Sequence, residues 1–233
     1  MQRSVLLAKI LRKLGIIQKG YLKCLNFSLK HRINTVKFII PIIQNIGWNN
    51  VFINEPWMIQ ILGFLIKNKE GIFIDAGANI GQTLLKAKSI NPEIMYYGFE
   101  PNPVSVSYLD ILINKNRFVN SNIIPYGLSD KSATKQLMFF TANQDDTTAS
   151  VHENLRPGSR VYRKKYIHLD SVDNILHDIT GKVVVLKIDV EGAEPEVLRG
   201  SANIIDKHKP VIIIEILPVY SSDNCWRADR MKE

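Results

Sequence analysis

Residues 72–81 constrain this chain more than any other stretch. Three consecutive β-branched or aromatic residues, Ile72, Phe73 and Ile74, run into an acid, Asp75, and then into a turn punctuated by Gly77 and Gly81. A short continuous apolar run is the pattern of a strand covered on both faces. Asp75 then falls at the carboxyl end of that strand. The two glycines permit a sharp turn and a close approach of backbone to a ligand, and Gln82 to Ser89, with Leu84, Leu85 and Ala87, continues as a helix. Strand, glycine turn and helix form one nucleotide-binding unit.

The spacing within the turn narrows the ligand. Neither the Gly-x-Gly-x-x-Gly of dinucleotide sites nor the Gly-x-x-x-x-Gly-Lys-Ser/Thr of phosphate loops is present. What stands there is Asp75-x-Gly77-x-Asn79-x-Gly81, with an acid where a diphosphate would be repelled. The implied ligand carries positive charge near the turn. S-adenosylmethionine has that character, because its amino group and sulfonium are cationic and it has no phosphates; the alternative is a helix-capping turn that binds nothing. A second strand, Met95 to Phe99, ends at Glu100, which follows Asp75 by 25 residues, a normal βαβ repeat. An acid there reaches both hydroxyls of a ribose. The other reading of Glu100 is an acid near the N-terminus of the helix after Pro103.

Further along, a third strand over Ile123 to Tyr126 leads to Ser129 and Asp130, which either contact an adenine or simply form a turn. Residues 133–141 read as a strand. Residues 142–160, with Asp145, Asp146, Thr147, Thr148 and Ser150, read as a long polar loop that helps cover an acceptor. Arg156, Arg160, Arg163, Lys164 and Lys165 read as a solvated face rather than a contact to an acidic acceptor. Tyr166 to Leu169 is another short strand, and Asp170-Ser171 caps a helix over Val172 to Leu176. The strongest second motif spans Val183 to Glu194, where an apolar strand stops at Asp189 and a helix begins at Glu194. Val211 to Ile214 gives a fifth strand ending at Glu215. In a doubly wound sheet the ligand lies outside the carboxyl ends of the strands, where strand order reverses, so Asp75 and Asp189 are expected to flank one crevice.

Charge is distributed unevenly. Nine of the 30 Lys and Arg, and none of the 22 Asp and Glu, lie in residues 1–54, so the net +8 belongs to a basic leader on an almost neutral body. That argues against a nucleic-acid binder using its whole surface. Val5, Leu6, Leu7, Ile10, Leu11, Leu14, Ile16 and Ile17 recur at mostly helical intervals, and a second helical segment is expected over residues 21–40. Such helices either pack on the domain, the commoner case, or lie on an anionic membrane surface. Glu55-Pro56-Trp57 opens a helix over Met58 to Ile66. Cys24 and Cys225 make no disulfide framework or metal spacing. No apolar run approaches the ~20 residues of a membrane span, and Lys9, Arg12 and Lys13 interrupt any signal-peptide core. The expected location is cytoplasmic, with peripheral contact to the inner face of the membrane as a second reading.

The segments Ile74 to Gly81, Phe99-Glu100-Pro101-Asn102-Pro103, Leu186 to Glu194 with its Asp189-Val190-Glu191-Gly192-Ala193-Glu194 core, and Ile214-Glu215 together resemble the FkbM family of S-adenosylmethionine-dependent methyltransferases across residues 72–217. The resemblance implies a Rossmann-like class I methyltransferase fold, α/β with a mostly parallel doubly wound sheet, and O-methylation of a sugar, glycan or hydroxylated natural product. It implies that Asp75, Gly77, Asn79 and Gly81 surround the methionine part of the cofactor and Glu100 the ribose, with Asn102 beside it. The family sheet usually ends with two further strands after the fifth. Only 16 residues follow Leu217, without a strand pattern, so a sheet lacking those two strands is expected.

The organisation expected is therefore a basic helical extension over 1–54, a methyltransferase domain over 55–217 and a short polar tail over 218–233. Methyl transfer to oxygen is an in-line displacement assisted by a base, and Asp189 and Glu191 at the crevice are the candidate bases. The alternative is that Asp189 orders the loop while Glu191 and Glu194 stabilise the following helix. No metal is expected, since no His supports Asp189 and Glu215. The acceptor is expected to be a small molecule or glycan and not nucleic acid, because the fourth strand tip is acidic and lacks a stacking pair of aromatics. The competing function is a truncated or catalytically inactive member acting as a binding module.

Overall fold

The chain opens with a helix, α1 (Arg3–Lys13), which continues not into a second helix but into an antiparallel hairpin, β1 (Asn26–Ile33) and β2 (Val36–Ile43). The expectation of a helix over 21–40 is corrected by the period of the burial. Phe27, Leu29, His31 and Ile33 turn inward alternately, and so do Phe38, Ile40 and Ile42; a period of two is a strand pattern. Asn34, in the left-handed region at φ 55°, makes the tight turn. The outward-facing Ile39 hides the alternation from a reader of the sequence. The structure, a computed structural model, describes all residues except 1, 18–20, 23, 53, 144–145, 217–224, 231 and 233. Asp145 of the polar loop, Leu217 at the end of the expected domain and residues 218–224 of the tail thus lie outside the described residues.

A 3-10 turn at Trp48–Val51 leads to α2 (Pro56–Ile66). The chain then alternates as β3 (Ile72–Ala76), α3 (Gln82–Ile90), β4 (Met95–Phe99), α4 (Pro103–Asn116) and β5 (Ser121–Ile124). After β6 (Gly127–Leu128), β7 (Ala133–Phe139), β8 (Arg163–Asp170) and the short α5 (Val172–Ile175) come β9 (Val183–Ile188), α6 (Glu194–Arg199), α7 (Ala202–His208), β10 (Val211–Ile214) and α8 (Cys225–Arg230). Five strands form an all-parallel sheet in the order β10-β9-β3-β4-β5, while β6, β8 and β7 form a separate small sheet. The chain runs outward from β3 through β4 to β5, then returns to β9 on the other side of β3. The order reverses at that point, and a ligand crevice is expected there.

Both faces of β3 are covered, and all five of its residues are buried. On one face Phe73, Tyr96 and Val185 pack with α2, α3, α4 and the apolar side chains of the leader, including Ala8, Ile40, Ile42 and Trp48. On the other, Ile72, Ile74, Leu186, Ile188 and Phe99 pack against Val172, Val197 and Ile204. Each large apolar side chain buried in this way contributes about 1.5–3 kcal/mol. Polar ties join the leader to the body. The Tyr108 hydroxyl donates to the Pro41 carbonyl at 2.9 Å, and Asn50 Nδ2 donates to the Ile80 carbonyl at 2.7 Å. At the other end α8 folds back, with Arg230 donating to the Gly192 carbonyl at 3.1 Å and pairing with Glu196. Among the described residues no helix is long and apolar enough to cross a membrane.

Candidate active site

At the carboxyl ends of the parallel strands lies a cleft of about 380 Å³, within the ~300–1,000 Å³ usual for small-molecule sites. Its first half is built by the turn after β3. Gly77 sits at φ 85°, and a Cβ there would lie 1.9 Å from the Asp189 carbonyl oxygen. Only glycine lets the tips of β3 and β9 close so tightly, with Asp189 N–H donating to the Ala76 carbonyl at 3.1 Å. Asn79, also in the left-handed region, points its N–H at Glu100 Oε2 at 2.8 Å, and the Asn102 N–H donates to Oε1 at 2.8 Å. Two backbone donors thus fix the plane of the Glu100 carboxyl group on the cleft wall. Burial pushes its pKa up to about 7, with help from Asp75 and Asp189, against the pull of those two N–H groups.

Asp75 is fully buried and is not among the residues lining the cleft. The expectation that the strand ends at Asp75 is corrected here: β3 continues through Ala76, and Asp75 lies in register with Gly98 and Lys187 on the two neighbouring strands. The Tyr96 hydroxyl donates to its Oδ2, and Lys187 Nζ lies 3.1 Å from its Oδ1. Lys187, itself only 5% exposed, reaches Asp189 Oδ2 at 3.1 Å as well. Burial disfavours the ammonium, but the charges of Asp75 and Asp189 prevail and hold its pKa above the ordinary lysine value. Burial raises Asp75 despite Lys187 and Tyr96. Lys187 is therefore a fixed cation that ties the inner acid to the outer one.

The second half of the cleft is carboxylate-rich. Burial alone would raise Asp189, yet Lys187 and a hydrogen bond from Glu215 bring it below the usual aspartate value. Glu215 is pushed up to about 8 by burial, by that hydrogen bond and by neighbouring carboxylates, so it holds the proton of the pair at neutral pH. Glu191, in the left-handed region at φ 54°, accepts from Arg156 Nη2 at 2.9 Å. Burial, together with Asp189 and Glu194, raises Glu191 to about 7 although Arg156 opposes it. Glu194 Oε1 accepts from the Val190 and Gly192 N–H groups at 3.2 and 3.1 Å and so orders the loop. Arg156 is thus not part of a solvated face; it is paired with Glu191, which lines the cleft.

Asn49, Asn54 and Glu55 of the leader side, together with Gln82, line the same cleft. The polar loop supplies Asp146, Thr147, Ala149, Ser150 and Val151. Asp146 pins that loop: its carboxylate accepts from the N–H groups of Phe140, Thr141 and Thr148 and from the Thr148 hydroxyl, at 2.7, 2.8, 3.0 and 2.7 Å. Ser150 Oγ donates to the Glu191 carbonyl at 2.7 Å, joining the loop to the acid-bearing turn.

Of the residues expected around a cofactor, Gly77, Asn79, Glu100 and Asn102 line the cleft, as do both candidate bases, Asp189 and Glu191. Gly81, Ser129 and Asp130 are not among its lining residues. A Cβ on Gly81 would press on Leu109 and Leu112, so that glycine lets α3 approach α4. Ser129 is buried beside Asp130, which faces Arg199 Nε at 3.5 Å. Sequence reasoning gave no role to Lys187, Tyr96 or the leader's carboxamides. Lys187 did carry a signal, since a lysine inside the apolar run Val183–Ile188 must find a counter-charge once the strand is buried.

A parallel sheet whose strand order reverses at an acid-lined cleft, with no phosphate-binding glycine set, defines a Rossmann-like protein of the methyltransferase type. The model of the methyltransferase FkbM domain matches residues 75–231, and the chain belongs to that family. Among curated relatives, Methyltransferase 1 of Beauveria bassiana (strain ARSEF 2860) is 27% identical over 146 residues, covering 56% of this chain and 58% of that protein. Methyltransferase sdnD of Sordaria araneosa is 28% identical over 152 residues, covering 54% and 59%. The matched segments thus span less than two thirds of either relative. Among solved structures, the methyltransferase FkbM of Methylobacillus flagellatus KT superposes at TM-score 0.46 and 15% identity, over 90% of this chain and 49% of that one.

Proposed function

We propose that the chain transfers a methyl group from S-adenosylmethionine to a hydroxyl of a sugar, glycan or other hydroxylated small molecule. The observation that carries this reading is the pairing, in one cleft, of an oriented buried acid, Glu100, with a carboxylate-rich half around Asp189 and Glu191. The lining suits this cofactor. Glu100 offers carboxylate oxygens held by two backbone donors toward a diol, and the nearby cation, Lys187, is already committed to two acids and so gives no site for a phosphate. Bound S-adenosylmethionine supplies an electrophilic methyl group on a sulfonium. Glu100 would hold its ribose, and Gly77 and Asn79 its methionine part. Asp75 acts through Lys187 rather than by contact.

The chain's own residues then account for the acceptor side. Asp189 stays ionised beside Lys187 and orients a hydroxyl. Glu191, at about 7, has a proton affinity suited to a base at neutral pH. The carboxamides of Asn49, Asn54 and Gln82 offer both donors and acceptors to a polyhydroxylated ligand. Incubation of the chain with S-adenosylmethionine carrying a labelled methyl group and a panel of hydroxylated acceptors tests this. Label is expected in an O-methyl ether; label on nitrogen or carbon only, or in no acceptor while S-adenosylhomocysteine binds, would refute the acceptor assignment.

A further inference from the structure

The layer that covers one face of the central sheet turns a second apolar surface outward. In α1 the inner face is made of small residues, Ser4 and Ala8, both buried, with Val5 and Leu11 packed beside them. Gln2 holds Arg32 through two hydrogen bonds of 2.6 and 2.7 Å, Ser4 Oγ lies 3.0 Å from His31 Nδ1, and Arg12 stacks over the Phe52 ring at 5.1 Å. The helix is therefore fixed on the hairpin. Its opposite side presents Leu6, Leu7, Ile10 and Leu14, exposed by 44, 41, 47 and 64%. At 100° per residue these four fall in one stripe. Arg3, Lys9 and Lys13 stand on the same outer side. In α2, too, Met58, Leu62 and Ile66 are buried, while Trp57, Ile61 and Phe64, at i, i+4 and i+7, are exposed, Phe64 by 82%. Glu55 precedes it, and Lys67, Lys69 and Glu70 follow it.

We propose that this outer face of α1 docks on an anionic lipid bilayer surface. Apolar side chains at helical spacing, ringed by cations, match the interface between acyl chains and acidic headgroups. A second copy of the chain fits poorly as the occupant, because residues 1–54 carry nine cations and no acid, so two such leaders repel. The same leader supplies Asn49 and Asn54 to the cleft.

The full chain, co-sedimented with phosphatidylcholine vesicles with and without phosphatidylglycerol, tests the proposal. Binding is expected only to the anionic vesicles and should weaken as salt rises, since screening acts on exposed charges. Lys9→Gln with Lys13→Gln should weaken partitioning about 25-fold, at about fivefold per cation. Leu7→Ser with Ile10→Ser should weaken it at least about tenfold, with no change in thermal unfolding because these side chains are exposed. No binding to anionic vesicles at low salt would overturn the proposal. So would variants that bind as well as the parent, or a parent dimer in solution that the Leu7→Ser/Ile10→Ser variant dissociates.

Discussion

Replacing Lys187 by methionine removes the cation that Asp75 and Asp189 share. Asp75 is completely buried, so the variant must either bury an unpaired carboxylate or take up a proton there. Protonation is the cheaper route. It costs about 1.4 kcal/mol for each pH unit above the ordinary aspartate value of 3.8. The ceiling is therefore about 4 kcal/mol at pH 7 and under about 2 kcal/mol at pH 5. For a domain of this size the loss at pH 7 corresponds to a fall in Tm of roughly 8–16 °C. Urea unfolding of the parent, Lys187→Met, Asp75→Asn and the double variant at both pH values measures it. The double variant is expected to be more stable than Lys187→Met alone at pH 7, because asparagine needs no counter-ion. A penalty below about 1 kcal/mol at pH 7, or no rescue by Asp75→Asn, would refute the claim that Lys187 neutralises a buried acid.

Other consequences concern the cleft itself. If Glu191 is the base, kcat/KM for methyl transfer should rise with pH through an inflection near 7 as its proton leaves, and Glu191→Gln should abolish that inflection together with most of the turnover, read from initial rates between pH 5.5 and 9. Glu100 has a folded-state pKa, about 7, above its ordinary 4.5. Its contribution to stability is thus full below 4.5 and lost as pH rises through 7, by up to about 3 kcal/mol. Denaturant titrations without cofactor should show a parent that loses stability over this window and a Glu100→Gln variant with a flatter profile. Gly77→Ala places a methyl against the Asp189 carbonyl at a positive φ and should cost at least about 2 kcal/mol, with the loss of S-adenosylhomocysteine binding by calorimetry.

Much of this architecture is readable from the amino-acid sequence because it is written in short, mostly apolar runs. Ile72–Ile74 and Val183–Ile188 lie in strands covered on both faces, Val211–Ile214 forms the half-exposed edge strand beside them, and each stops at or near an acid. The position of the cleft follows from their order. Harder to read were features that depend on which side chains meet. The hairpin over 26–43 alternates with a period of two, but Ile39 and Pro41 interrupt the pattern, and its basic residues suggested an amphipathic helix. Asp75 and Glu100 look equivalent as acids at the ends of strands. One extra strand residue, Ala76, buries the first against Lys187, whereas Glu100 stands just past β4, where backbone donors turn it toward the cleft. The partnership of Arg156 with Glu191 joins residues 35 apart through a loop without regular periodicity, so local patterning could not reveal it.

Thermal unfolding with S-adenosylhomocysteine, with NAD and without ligand, on the parent and on Glu100→Ala, tests the central claim most directly. At a ligand concentration ~100 times its dissociation constant, binding adds ~2.7 kcal/mol of stability, a rise of roughly 5–10 °C for a domain of this size. The account predicts that rise for the parent with S-adenosylhomocysteine, none with NAD, and a much smaller one for Glu100→Ala at the same ligand concentration. A rise with NAD, or an undiminished response in Glu100→Ala, would contradict it.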